Sequence, residues 1–278
     1  MKRSPIFDVA WYTANTLLIL SIIFALYSMA WEYSMRRYLQ GFSNAIIPAD
    51  SSTLEKVETI LSWMTHGPKR RDGPEMSTRD PEQTLNYQAL LRLCGTATNA
   101  FVNLANASGI SARRLLLLND RNTAIHVVAE VWMDDRWIVV DPSFAVIPRG
   151  PDGTLLTRDD LAKPEFFKYV FDRVPGYNEA YVYARTVHLR VARIPYIGRF
   201  LRSLLDRAMP GWEESVFISL LAERLSFTAI VVSLLFVFIG LLARLALRHY
   251  GENHLGVHYG RLRYRLWRAF QSFVREPS

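Results

Sequence analysis

At 278 residues the chain can hold one domain of ordinary size plus further segments. Half of it is hydrophobic, and a net charge of +7 is modest for that length. Its single cysteine excludes an intrachain disulfide framework. That does not assign a reducing compartment, since a lone catalytic thiol can serve outside the cytosol.

A short basic start with Lys2 and Arg3 leads into 23 uncharged residues, Val9 to Trp31. Such a run exceeds the roughly 20 residues that cross a bilayer. Trp11, Tyr12, Tyr27 and Trp31 cluster near its ends, as interfacial aromatics do. A cleaved signal peptide would have a shorter apolar run and a small-residue cleavage site. The expectation is a retained membrane helix within residues 1–33.

Asp50 to Met64 reads as an amphipathic helix. Ser52 and Glu55 have capping-box spacing, and Leu54, Val57, Ile60, Leu61 and Met64 form one apolar face. His66 to Gln83 is rich in Gly, Pro and charge and reads as a loop, either a solvated connector or the rim of a cleft.

Leu90 to Phe144 organises the chain. Cys94 stands where a helix begins: small residues follow it, then Ala100, Phe101, Leu104 and Ala105 at helical spacing, with Asn99, Asn103 and Asn106 on the surface. Gly109 closes the helix. A thiol at a helix N-terminus meets the positive end of the macrodipole and unpaired N–H groups, both of which favour thiolate. Asn106-Ala107-Ser108 matches a glycosylation sequon but falls inside that helix. Ser111 to Leu118 reads as a buried strand.

HVVAEVWM and RWIVVDP are strand-like runs separated by Asp134 and Asp135, which suits a two-residue hairpin. That register sets Met133 opposite Arg136 and Val128 opposite Asp141. His126, Val128, Glu130 and Trp132 then share a face with Trp137, Val139 and Asp141. His126 and Asp141 become diagonal neighbours, near enough for the carboxylate to orient the imidazole. Cys94 packed across that face would complete a nucleophile, base and orienter.

A cysteine opening a helix, a GI-SAR segment, H-V-V-A-E-V and R-W-x-V-x-D-P together resemble the transglutaminase-like superfamily of papain-like cysteine enzymes. The resemblance covers about a fifth of the chain, Leu90 to Phe144. It implies a catalytic triad of Cys94, His126 and Asp141 and acyl transfer through a thioester: amide cleavage, deamidation or transamidation. This chain departs from the family pattern at Arg92, where a glycine is common, and at Val128, near which an aromatic is common. Gln88, six residues before Cys94, resembles the papain-like oxyanion glutamine, although the Cys94 N–H is the better-supported donor. Trp137 is a candidate substrate-contacting residue. No cofactor is implied. The triad residues could together hold zinc, but no close-spaced ligand pair anchors such a site.

Beyond Phe144 a loop leads to Thr157, which caps a short helix through Leu161. Glu165 to Val174 carries too many aromatics for a free linker, and 180–194 is open between strand and helix. Ile197 to Met209 alternates apolar residues with Arg199, Arg202 and Arg207, as a helix on a membrane surface or on the domain would. Leu225 to Ala243 is a second uncharged run, 19 residues long. Seven arginines against two glutamates follow it, from Arg244 to Ser278. After a membrane helix, the positive-inside rule accounts for that tail more economically than nucleic-acid binding does.

The sequence therefore predicts an α+β domain over residues 34–215, with a Cys-bearing helix packed on an antiparallel sheet. Transmembrane helices at 1–33 and 216–247 flank it, and 248–278 is a basic cytoplasmic tail. Both termini would be cytoplasmic and the domain extracytoplasmic. The expected partners are the lipid bilayer and a protein or peptide substrate, which the cell envelope could supply. The alternative is an inactive scaffold or binding module of a cell-envelope assembly.

Overall fold

A computed structural model of the chain describes residues 5–68, 80–86, 90–189, 196 and 198–256. Helices α1 (Pro5–Ile46), α2 (Thr53–His66) and α3 (Pro81–Asn86) precede α4 (Cys94–Ala107). Strands β1 (Ala112–Leu118), β2 (Ala124–Met133) and β3 (Arg136–Val140) follow, then α5 (Arg158–Leu161), α6 (Pro164–Phe171) and the two-residue β4 (Thr186–Val187). Helices α7 (Gly198–Ala208), α8 (Val216–Glu223) and α9 (Leu225–His254) complete the order. The chain divides into two units, residues 30–228 and residues 1–29 with 229–278.

Local chemistry accounts for the larger unit's elements. Ser52 and Glu55 form a reciprocal capping box at the start of α2, and Val57, Ile60, Leu61 and Met64 are buried along one side. Gly109 at φ 84° ends α4 in a Schellman motif: its N–H donates to Asn106 O and that of Ile110 to Ala105 O. Asp134 and Asp135, at φ 51° and 58°, form the type I′ turn whose twist suits a hairpin. It sets β2 on β3 from Met133↔Arg136 to Ala129↔Val140, the register expected.

The antiparallel sheet has the order β3-β2-β1-β4. On one face Ala112, Ala129, Val131, Ile138 and Val140 pack with α4, α2 and the end of α1 around Phe101, Leu104 and Ile60. On the other, Leu115, Leu117, Val128 and Val139 pack with Leu156, Leu161, Val170 and Tyr183. The sheet thus lies between two apolar layers, as an α+β domain requires.

Asn99 and Asn103 are buried, not on the surface. Asn99 donates to the Glu223 carboxylate at 2.8 Å, and Asn103 accepts from Arg224 Nε at 2.6 Å. Arg224 also pairs with Glu32 at 2.9 Å, and Ser226 donates to the same carboxylate. Buried charges are tolerated here because each is paired and hydrogen-bonded.

In the smaller unit α1 and α9 pack together. The Phe7 and Tyr250 rings lie 6.3 Å apart, and a Cβ on Gly240 would meet Leu18 at 3.2 Å, so glycine allows this close approach. Both helices are long and apolar enough to span a membrane.

Several expectations need correction. The helix expected within 1–33 continues to Ile46. The segment 216–247 is two helices, broken where Arg224 becomes extended and turns its guanidinium to Glu32 and Asn103. Helix α8 belongs with the domain, since Ser219 accepts the Arg114 N–H. The loop expected to reach Gln83 gives way to α3 at Pro81, and the open stretch 180–194 contributes only β4 among its described residues.

Candidate active site

Helix α4 begins at Cys94 without a side-chain cap. Leu93, the residue before it, is extended (φ −89°, ψ 126°) and offers no side-chain oxygen to the first turn, although its carbonyl accepts the Thr96 and Ala97 N–H groups at 3.1 and 2.8 Å. That leaves the N–H groups of Cys94 and Gly95, the first two of the helix, for other acceptors, and the Gly95 backbone is among the groups that lower the Cys94 pKa.

The sheet supplies the second support. Pairing between β2 and β3 stops at Ala129↔Val140. Asp141 instead exchanges backbone hydrogen bonds with Val146, at 2.8 and 3.0 Å. Continued register would set Pro142 opposite Val127, and proline has no N–H to give. The vacated edge of Val127 is taken by α4. Thr98 Oγ1 donates to the Val127 carbonyl at 3.0 Å, and the Val127 backbone is among the groups that lower the Cys94 pKa. Cys94 and Thr98 are one turn apart and so lie on the same side of the helix.

This edge contact corrects the expectation that Cys94 packs across the His126 face. Helix α4 lies on the face of Ala129, Val131 and Val140, whereas His126 shares the opposite one with Val128. The thiol reaches the imidazole around the edge of β2. His126 Nε2 lies 2.6 Å from Asp141 Oδ2, and the ring is near enough to Cys94 to lead the groups that lower the thiol's pKa. The structure thus brings Cys94, His126 and Asp141 together.

Hydrogen bonding to His126 leads the influences that lower the Cys94 pKa, outweighing burial of the sulfur. Burial opposes a proton on His126, but the bonds and charges of Asp141 and Cys94 dominate and raise its pKa to about 9. Both directions favour a thiolate beside an imidazolium.

Asp141 is wholly buried. Its Oδ1 accepts the Ser143 N–H at 3.1 Å, and the Tyr177 hydroxyl also reaches the carboxylate. Tyr177 and Tyr183 are joined oxygen to oxygen at 2.6 Å. Burial raises both phenol pKa values, and the Asp141 charge raises them further. Tyr181 stacks on His126 with centroids 4.1 Å apart and planes at 7°, while Phe144 meets the ring edge-on at 5.9 Å. These aromatics shield the charged pair from water while the half-buried thiol stays accessible.

Trp137 is not part of this cluster. Trp137 lies under the Arg113 guanidinium at 3.8 Å and against Trp132 at 5.3 Å. Four strand positions separate it from Asp141, about 13 Å of chain. Gln88 lies outside the described residues. Glu130 is a buried partner of Arg113 and His188, each at 2.8 Å. Among the described residues no group of three or more His, Cys, Asp and Glu is placed to hold a metal ion.

Sequence reasoning missed Tyr177, Tyr181 and Tyr183. The aromatic density of 165–174 announced a packed segment, but nothing local said that the tyrosines after it turn back onto His126.

Residues 40–142 match the family model described as the transglutaminase-like superfamily, a span that includes Cys94, His126 and Asp141. That span is similar to this superfamily of papain-like cysteine enzymes in general. No curated protein and no solved structure matches it. The three tyrosines lie beyond the matched span.

Proposed function

We propose that this protein is a membrane-anchored cysteine enzyme that acts on amide bonds through a thioester on Cys94. The observation that carries the reading is the placement of His126, with Nε2 2.6 Å from Asp141 and the ring beside Cys94, whose pKa it lowers.

The Cys94 thiolate attacks the amide carbon, forming a C–S bond and moving the carbonyl electron pair onto oxygen. The Cys94 N–H, in the uncapped first turn of α4, is our choice of oxyanion donor. His126 then protonates the departing nitrogen as the C–N bond breaks, leaving an acyl thioester. Water attacks next and gives its proton to His126, and collapse expels the thiolate. Hydrolysis is the default, since a bulky amine acceptor would need a dedicated site. Asp141 holds the ring and stabilises its charge throughout.

Two membrane-length helices and the arginine-rich C-terminal sequence support a two-pass chain with both termini cytoplasmic. The domain would then meet extracytoplasmic protein or peptide substrates. Near neutral pH, iodoacetamide should label Cys94 rapidly in the intact protein and slowly in His126→Ala. Cys94→Ser should keep the fold and lose turnover. An equally inert thiol in both proteins, or full activity in Cys94→Ser, would refute the enzyme reading.

A further inference from the structure

Helix α7 presents an apolar row that the domain does not cover. Leu201 and Leu205 are half-buried and turned inward, whereas Phe200 is 71% exposed and Leu204 50%. Tyr196 and Met209, beyond the two ends of the helix, are exposed as well. Large apolar side chains grouped this way mark an interaction surface.

The charges indicate what covers it. Arg199 and Arg207 are exposed and form no ion pair among the described residues, while Arg202 pairs with Glu213 at 3.1 Å. On a helical projection Arg207 lies next to Phe200, while Arg199 lies about 100° to the same side of that row. Apolar residues bordered by arginines whose stems can lie along them match a helix in the plane of an anionic lipid surface. The chain supplies proximity as well: α9, of membrane-spanning length, starts 17 positions after α7 ends, 225 less 208. A Trp212 bond to Asp206 at 2.8 Å ties α7 to the turn that follows it, which steadies the presentation of the row.

We propose that α7 is an in-plane membrane helix, seating Phe200 and Leu204 in an anionic bilayer surface with Arg199 and Arg207 on its headgroups. The domain is then held against the membrane by this face as well as by its anchors, and the inference does not depend on the chemistry of Cys94.

The test uses the full chain in nanodiscs of phosphatidylcholine with phosphatidylglycerol. In a Cys94→Ala background, which removes the only native thiol, a nitroxide is attached through Leu204→Cys or, on the polar side, through Ser203→Cys. We expect the label at 204 to collide more with oxygen and less with a nickel chelate than the label at 203. Arg199→Gln with Arg207→Gln should shift position 204 back toward nickel. Equal nickel access at both positions would overturn the proposal. So would a 204 label closed to both reagents in discs and in detergent alike, because protein, in this chain or a second copy, would then be the cover.

Discussion

Thr98 donates its hydroxyl to the Val127 carbonyl at 3.0 Å, and this bond fixes the height of α4 against the free edge of β2. Cys94 is one turn earlier on the helix, and His126 is next to Val127 on the strand. This bond between helix and sheet thus lies one turn from the thiol and one residue from the imidazole.

Thr98→Val should keep the volume but strand a buried carbonyl, at a cost of about 1–3 kcal/mol. If the bond also positions the thiol, kcat should fall and the Cys94 pKa should rise toward its ordinary value. Thr98→Ser should restore both. An iodoacetamide rate profile against pH reads the pKa, and a profile unchanged in a less stable protein would leave Thr98 a purely structural residue.

Tyr177→Phe should act through Asp141. Its loss removes a donor to the carboxylate and leaves the Tyr183 hydroxyl without its 2.6 Å partner. We expect stability to drop by about 1–3 kcal/mol and kcat to fall less than in Asp141→Asn. Thermal melts and kcat with one amide substrate check the pair.

Asp141→Asn should lower kcat on the order of 10- to 1000-fold, less than His126→Ala does. The amide keeps the size but loses the charge that favours imidazolium and can select the wrong tautomer. A lowered melting point with normal turnover per folded molecule would make Asp141 only a turn residue.

Activity should rise with pH through the lowered Cys94 pKa and fall above about 9, where His126 loses its proton. The linkage sign follows from His126 being raised above the roughly 6.5 of an unfolded imidazole. Its contribution to stability is full below that value and is lost as pH rises through about 9. In Cys94→Ala the ring keeps Asp141 but loses its sulfur partner, so its pKa should fall. Imidazole resonances followed by NMR titration measure it.

Local pattern was enough for the elements that carry the site. Alternating side chains around Asp134 and Asp135 specify the hairpin register, because a one-residue slip would turn every buried side chain outward. That register alone made His126 and Asp141 diagonal neighbours. Cys94 at a helix start and Gly109 at its end were equally legible, since capping depends on adjacent residues.

What the sequence left open depends on partners far along the chain. Asn99 and Asn103 look like surface residues until Glu223 and Arg224, more than 120 positions on, arrive to satisfy them. The apolar pattern of 216–247 hides a break whose cause is a buried ion pair with Glu32. Tyr181 stacks on an imidazole 55 positions away, 181 less 126. The face of α4 was misjudged for a related reason. Periodicity tells which side of a helix is apolar, but only packing decides which side of the sheet receives it. The sequence by itself determined that Cys94 opens a helix and that the strand register brings His126 and Asp141 near each other. Only the tertiary structure decided that the thiol comes around the edge of β2, because that depends on where β3 leaves the sheet and which side chain takes the vacated hydrogen bonds.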